Sequence, residues 1–147
     1  MNIKVRPVQP TDTKTIWEIR NEPTALAVAA SQEIIPLTRH IAWFNSKYFS
    51  NKNNFCFVAE VDEKVIGYCR FDLDQNHYLN SIAISSSMHG KGIGTLLLRQ
   101  SIGQLRPLKP ILAEIRKHNI ASIKIFERCG FIKKSEDDKN IYYRLQR

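Results

Sequence analysis

The chain has 147 residues, 43% of them apolar and 24% charged, with a net charge of +8. That is a soluble globular composition, long enough for one domain, residues 1–147, with a real hydrophobic core. No apolar run approaches the ~20 residues that span a bilayer, and residues 1–12 hold no apolar signal core to direct export, so a cytoplasmic protein without membrane association is expected.

Taken in order, residues 3–8 alternate apolar and polar side chains and predict a first strand. Thr11 and Asp12 follow Pro10 as a helix cap, and Ile16, Trp17 and Ile19 give the helix an apolar face up to Arg20 and Asn21. Residues 24–36 read two ways, as a short helix at the start and as extended chain before Pro36. Leu37, Ile41, Phe44 and Tyr48 share one face of a second helix. Residues 55–61 and 64–71 predict a hairpin turning at Asp62 and Glu63, and a fourth strand covers 77–84. A helix over 95–106, a strand over 111–115 and a helix from the cap Asn119 to Cys129 come next. Gly130 suits a left-handed helix end, with Phe131 folding back over the last turn. Residues 131–133 and 141–145 complete a mixed α+β sheet of about seven strands with about four helices.

One stretch organises the rest. The strand ending at Ile84 runs through three serines into His89-Gly90-Lys91-Gly92-Ile93-Gly94 and then directly into a leucine-rich helix. Glycines free the backbone to turn tightly and to press its amides against a ligand. The first N–H groups of the following helix lack partners and carry the positive end of its dipole. Together they make a socket for a phosphate or pyrophosphate. No Gly-Lys-Ser/Thr follows, so this is not the loop of a nucleoside triphosphatase. A glycine-rich helix start without a ligand is the plainer reading of the loop alone.

Three features together resemble the GNAT superfamily of acetyl-CoA-dependent N-acyltransferases. They are the strand and its His89–Gly94 loop, the Asn119-Ile120-Ala121-Ser122 helix opening, and Phe126-Glu127-Arg128-Cys129-Gly130-Phe131 closing that helix. The resemblance implies a mostly antiparallel sheet that splays at the cofactor strand. It implies that the amides of residues 90–95 (Gly90, Lys91, Gly92, Ile93, Gly94 and Thr95) hold the pyrophosphate of acetyl-CoA, the co-substrate. The strand edge at Ile82, Ala83 and Ile84 would pair with the pantetheine arm, and Asn119, Ser122 and Phe126 would meet it from the next helix. His89 stands where the family has Arg or Gln, and Phe126 where many relatives carry a proton-donating tyrosine. No metal is implied, and Cys56, Cys69 and Cys129 lack metal-ligand spacing.

Acyl transfer by direct attack needs a neutral amine, a base and donors for the developing oxyanion. Glu114 and His77 are the candidate bases, with Asn80 and Ser81 able to position a water. Arg20-Asn21 and the His40-x-x-Trp43-Phe44 helix resemble a GNAT subgroup that includes acetyltransferases of amino-sugar nucleotides and of ribosomal-protein N-termini, which implies that Arg20, Asn21, His40 and Trp43 touch the acceptor. Tyr142, on the last strand, is a further candidate there. The small-molecule amine is thus expected to be an amino-sugar nucleotide, with a protein N-terminus, a small amine, or acyl-CoA binding without turnover as alternatives. The basic residues are spread along the chain, and the acidic stretch 135–138 interrupts them, so nucleic acid is not the expected partner. A monomer or homodimer is expected.

Overall fold

A computed structural model describes residues 1–29, 31 and 33–146. Seven strands form one sheet: β1 (Ile3–Pro7), β2 (Phe55–Val61), β3 (Lys64–Asp74), β4 (His77–Ile84), β5 (Ile111–Arg116), β6 (Ile132–Glu136) and β7 (Asn140–Leu145). Their order is β1-β2-β3-β4-β5-β7-β6. Every pairing is antiparallel except β4 with β5. That parallel pair needs a crossover, which is α4 (Ile93–Leu105).

The remaining helices are α1 (Thr13–Arg20), α2 (Pro23–Val28), α3 (Leu37–Phe44), which runs on into a π-helical turn Asn45–Phe49, and α5 (Ile120–Arg128). The ambiguous 24–36 stretch therefore opens as the helix α2, one more than the four expected; Ala30 and Gln32 within it lie outside the described residues. Glu22, extended at φ −61° and ψ 143°, and Pro23 at the first helical position start α2. Asp12 differs from expectation in a small way. Its carboxylate takes the Gln9 amide at 2.8 Å and two Arg6 nitrogens at 2.8 and 3.0 Å, so it caps the 3-10 turn Pro10–Asp12 that leads into α1 rather than α1 itself.

Side chains alternate across each strand, so the sheet has two distinct faces. Phe57, Cys69, Phe71, Ile111, Ala113 and Ile115 bury into one core with Leu97 and Leu98 of α4 and Phe126 of α5. Val58, Tyr68 and Val65 bury into the other with Ile16, Ile19 and Phe44. Helices α1 and α3 thus cover the second face over β2 and β3. A cavity of about 420 Å³ opens where Leu79, Leu112, Glu114 and Tyr142 line the sheet.

The local signals in the sequence act as anticipated at both hairpin and helix ends. Asp62 (φ 50°) and Glu63 (φ 66°) are both left-handed, as a two-residue turn between twisted strands requires. Asn119 accepts the Ser122 amide at 3.2 Å and caps α5. Gly130, at φ 89°, ends that helix, and the Phe131 ring packs edge-on to Phe126 at 4.9 Å.

Candidate active site

The pairing of β4 with β5 runs only from Tyr78–Ile111 to Asn80–Ala113. Beyond that point the two strands diverge and a gap opens. The Tyr78 amide donates to the Pro110 carbonyl at 2.9 Å, on the β5 side. Backbone groups alternate along a strand, so Asn80, Ile82 and Ile84 also direct their N–H and C=O toward β5. Past Asn80 these groups have no strand partner. His89 returns from the loop, and its Nε2 lies 2.8 Å from the Ile84 carbonyl. A carbonyl only accepts, so that nitrogen carries the proton. The edge left for a ligand is the Ile82 N–H and C=O and the Ile84 N–H.

The loop after β4 has the geometry that its composition implies. Gly90 and Gly92 both adopt φ 76°, a conformation that other residues take at a cost, and a Cβ at either would meet nothing within 4 Å. The open space lies over the backbone at the place where a ligand must approach. Gly92 is the N-cap of α4, with no side chain capping the helix start. The first α4 amides therefore face outward. Gly94 serves packing: a Cβ there would overlap the Ile125 side chain, whose Cγ1 would lie 3.1 Å away, so Ile125 of α5 seats against α4 in the space that the glycine leaves. Ile93 is 1% exposed, and it contributes its amide to the loop while its side chain fills the core.

Ser81 and Glu114 are the first residues beyond the last β4–β5 pair. Each neighbours a core-facing residue, Asn80 and Ala113, so both point to the opposite face and flank the start of the gap. Glu114 is exposed; its Oε1 accepts from Asn140 Nδ2 at 2.9 Å. It lies opposite Tyr142 on β7, and both line the 420 Å³ cavity. The Tyr142 hydroxyl donates to Asp137 at 2.6 Å.

The described geometry corrects three expectations. Asn80 is 4% exposed and points into the first core, where its Nδ2 donates to the Arg70 carbonyl at 3.0 Å and to Cys69 Sγ at 3.3 Å. It cannot hold a water on the Ser81 face. His40 is 1% exposed beneath α1, its Nε2 3.2 Å from the Thr13 carbonyl and its ring against Trp43 and Phe44. Burial first, then the charge of Arg20, holds its pKa down to about 4, so it stays neutral and packs the scaffold. Phe126, expected to meet the cofactor arm, is instead a core ring, 2% exposed, with no proton to give. Asn119 spends its oxygen on the Ser122 amide, which leaves its Nδ2 as the donor available to a ligand. Cys129 lies behind the loop helix with Sγ 3.7 Å from the Thr95 carbonyl, and burial raises its pKa, which disfavours the thiolate.

Glu22 was not singled out in the sequence. Its carboxylate accepts from Ser85 Oγ at 3.0 Å and from the Ser86 amide at 2.9 Å, fastening the start of α2 to the end of β4. At the other end of α2, His118 Nε2 lies 3.2 Å from the Ala27 carbonyl, just past β5. Helix α2 thus bridges the gap between the diverging strands. Its one sequence signal is an acid directly before a helix-starting proline.

The acetyltransferase (GNAT) family model matches residues 13–131. The chain belongs to the GNAT family. Among relatives, it is 30% identical over 88 residues to an uncharacterized N-acetyltransferase of Methanocaldococcus jannaschii, which is 57% of this chain and 56% of that one. It is 27% identical over 108 residues to N-alpha-acetyltransferase 30 of Xenopus laevis, 67% of this chain and 38% of that one. The chain therefore spans about half or less of the length of these curated relatives. Among solved structures, a GNAT superfamily phosphinothricin acetyltransferase from Sinorhizobium meliloti, in complex with acetyl-CoA, superposes with a TM-score of 0.84 at 20% identity, covering 99% of this chain and 89% of that one. That likeness is one of overall fold. No helix of the described residues is long and apolar enough to cross a membrane, and they contain no group of metal-ligating side chains.

Proposed function

We propose that residues 1–147 form one acyltransferase domain that moves an acetyl group from acetyl-CoA to a primary amine. The observation that carries this reading is the free edge at Ile82 and Ile84, which leads straight into two left-handed glycines and an uncapped helix start. These groups fit acetyl-CoA. The amides of residues 90–95 suit a pyrophosphate. An extended amide-bearing arm suits a strand edge with alternating donor and acceptor, and Asn119 Nδ2 stands at the opening of the facing helix. Acetyl-CoA supplies a thioester carbonyl open to attack by an amine. In this reading the Ile82 amide polarises that carbonyl, and Glu114 takes the amine proton directly or through a water held by Ser81. Phe126 removes the family's usual acid, which slows departure of the thiolate without forbidding it.

For the acceptor we favour a 4-amino sugar nucleotide in a cytoplasmic setting. Support comes from Arg20-Asn21, next in the chain to the Glu22 that holds Ser85 and Ser86, from the aromatic helix around Trp43, and from a net charge of +8 that favours a polyanion. A protein N-terminus is the second reading, favoured by the name of the Xenopus relative.

Calorimetry of acetyl-CoA binding tests the first step. The wild type is expected to bind, and Gly92→Glu to lose binding, since the new side chain brings both strain at φ 76° and a negative charge to the socket. Absence of wild-type binding would overturn the reading. Release of free thiol in the presence of an amino-sugar nucleotide or an N-terminal peptide then separates the two acceptors.

A further inference from the structure

Three cations surround the indole of Trp43. The Arg20 and Arg70 guanidinium carbons lie 5.2 and 5.3 Å from the ring centroid, and Lys47 Nζ lies 5.2 Å from it. One carboxylate serves them. Asp72 takes Lys47 at 3.1 Å and Arg70 at 3.7 Å, and it also accepts the Tyr48 hydroxyl at 2.6 Å. Among the described residues Arg20 has no ion pair or hydrogen bond for its guanidinium. Burial, and then the neighbouring Arg70, both oppose its charge and lower its pKa. His40, held neutral, brings no compensating group.

Polar groups in the same region are also unmet. Both polar atoms of the Asn21 side chain are buried without a partner, and so is Arg70 Nε. An unmet buried amide or guanidinium nitrogen destabilises the fold, more so where the group is charged. Two like charges held together, with one carboxylate between three cations, add to that cost.

The sheet register places this cluster. Arg70 pairs with Ser81 and Tyr68 with Ala83 across β3 and β4. Arg70 and Ser81 therefore point to the same face, the one that Glu114 shares across the gap. A guanidinium presents a planar fork of donors that matches a carboxylate or a phosphate.

We propose that Arg20 and Arg70, with the Asn21 amide, form a subsite for an oxyanion that the acceptor itself carries, a carboxylate or a phosphate, so that the amine to be acetylated belongs to an acidic molecule. This rests on the acetyltransferase reading above. Trp43 forms the flat wall of the subsite. A purely cationic acceptor would meet Arg20, Arg70 and Lys47, and Asp72, the carboxylate among them, is already shared by Lys47 and Arg70.

The test is a thermal-melting titration of the protein saturated with coenzyme A, so that the glycine loop is already filled. Inorganic phosphate and succinate are the probes. One of them is expected to raise the melting temperature saturably, with an apparent Kd about tenfold weaker or more in Arg20→Gln and partly restored in Arg20→Lys. A response to phosphate alone assigns a phosphate-bearing acceptor, and a response to succinate alone a carboxylate-bearing one. Equal responses in wild type and Arg20→Gln, or no response to either anion, overturn the subsite. Failure of coenzyme A itself to raise the melting temperature counts instead against the acetyltransferase reading. The same anion titrations, run without it, still decide the subsite.

Discussion

At the scale of single residues, the site is set by which way a strand side chain points. Ser81 and Asn80 are neighbours, yet one flanks the gap and the other is locked in the core. Composition cannot separate them, because both are small polar residues on one strand; only the register against Phe71 and Arg70 does. Glu114→Gln is expected to lower kcat by about a hundredfold while leaving the Kd for acetyl-CoA unchanged, the usual size of a lost general base. Steady-state kinetics beside calorimetry checks both halves. His40 predicts a pH effect on stability. Its ordinary pKa of 6.5 is depressed to about 4 in the folded state, so the native protein resists protonation that the unfolded chain accepts. Stability attributable to His40 is therefore complete above about pH 6.5 and is lost as pH falls from there toward about 4. Melting temperature against pH should show that decline, and His40→Phe should flatten it.

At the scale of elements, most of the architecture was legible. The His89–Gly94 loop, the Asn119 cap, the Gly130 end and the Asp62-Glu63 turn each rest on local chemistry, which sequence displays directly. The free edge of β4 follows once the parallel β5 is known to stop at Ala113. What stayed hidden depends on contacts far apart in the chain. Helix α2 is short and buries no residue, so periodicity had little to report. Glu22 gains its role only when Ser85 and Ser86 arrive beside it. His40 matched a family pattern, but its burial comes from α1 packing over it. Gly94 illustrates the converse, a glycine chosen for contact between helices rather than for its torsion. Gly94→Val would drive α4 from α5 against Ile125 and is expected to cost about 2 kcal/mol, the scale of overpacking a filled core. Urea unfolding checks it, with an unchanged m-value if the denatured state is unaffected.

At the scale of the whole molecule, one sheet carries two unlike faces, and the gap passes between them. On one side stand α4, α5 and the glycine loop; on the other stand the cavity, Glu114, Tyr142 and the arginines around Trp43. Because α2 is fastened to both diverging strands, through Glu22 at Ser85 and Ser86 and through Ala27 at His118, the gap is a passage with two mouths rather than an open cleft. Two molecules that enter by separate mouths need not wait for one another to leave. Donor and acceptor should then occupy the protein together, and double-reciprocal plots of initial rate should intersect. Parallel lines, the mark of a group parked on the protein between two visits to a single door, are not expected.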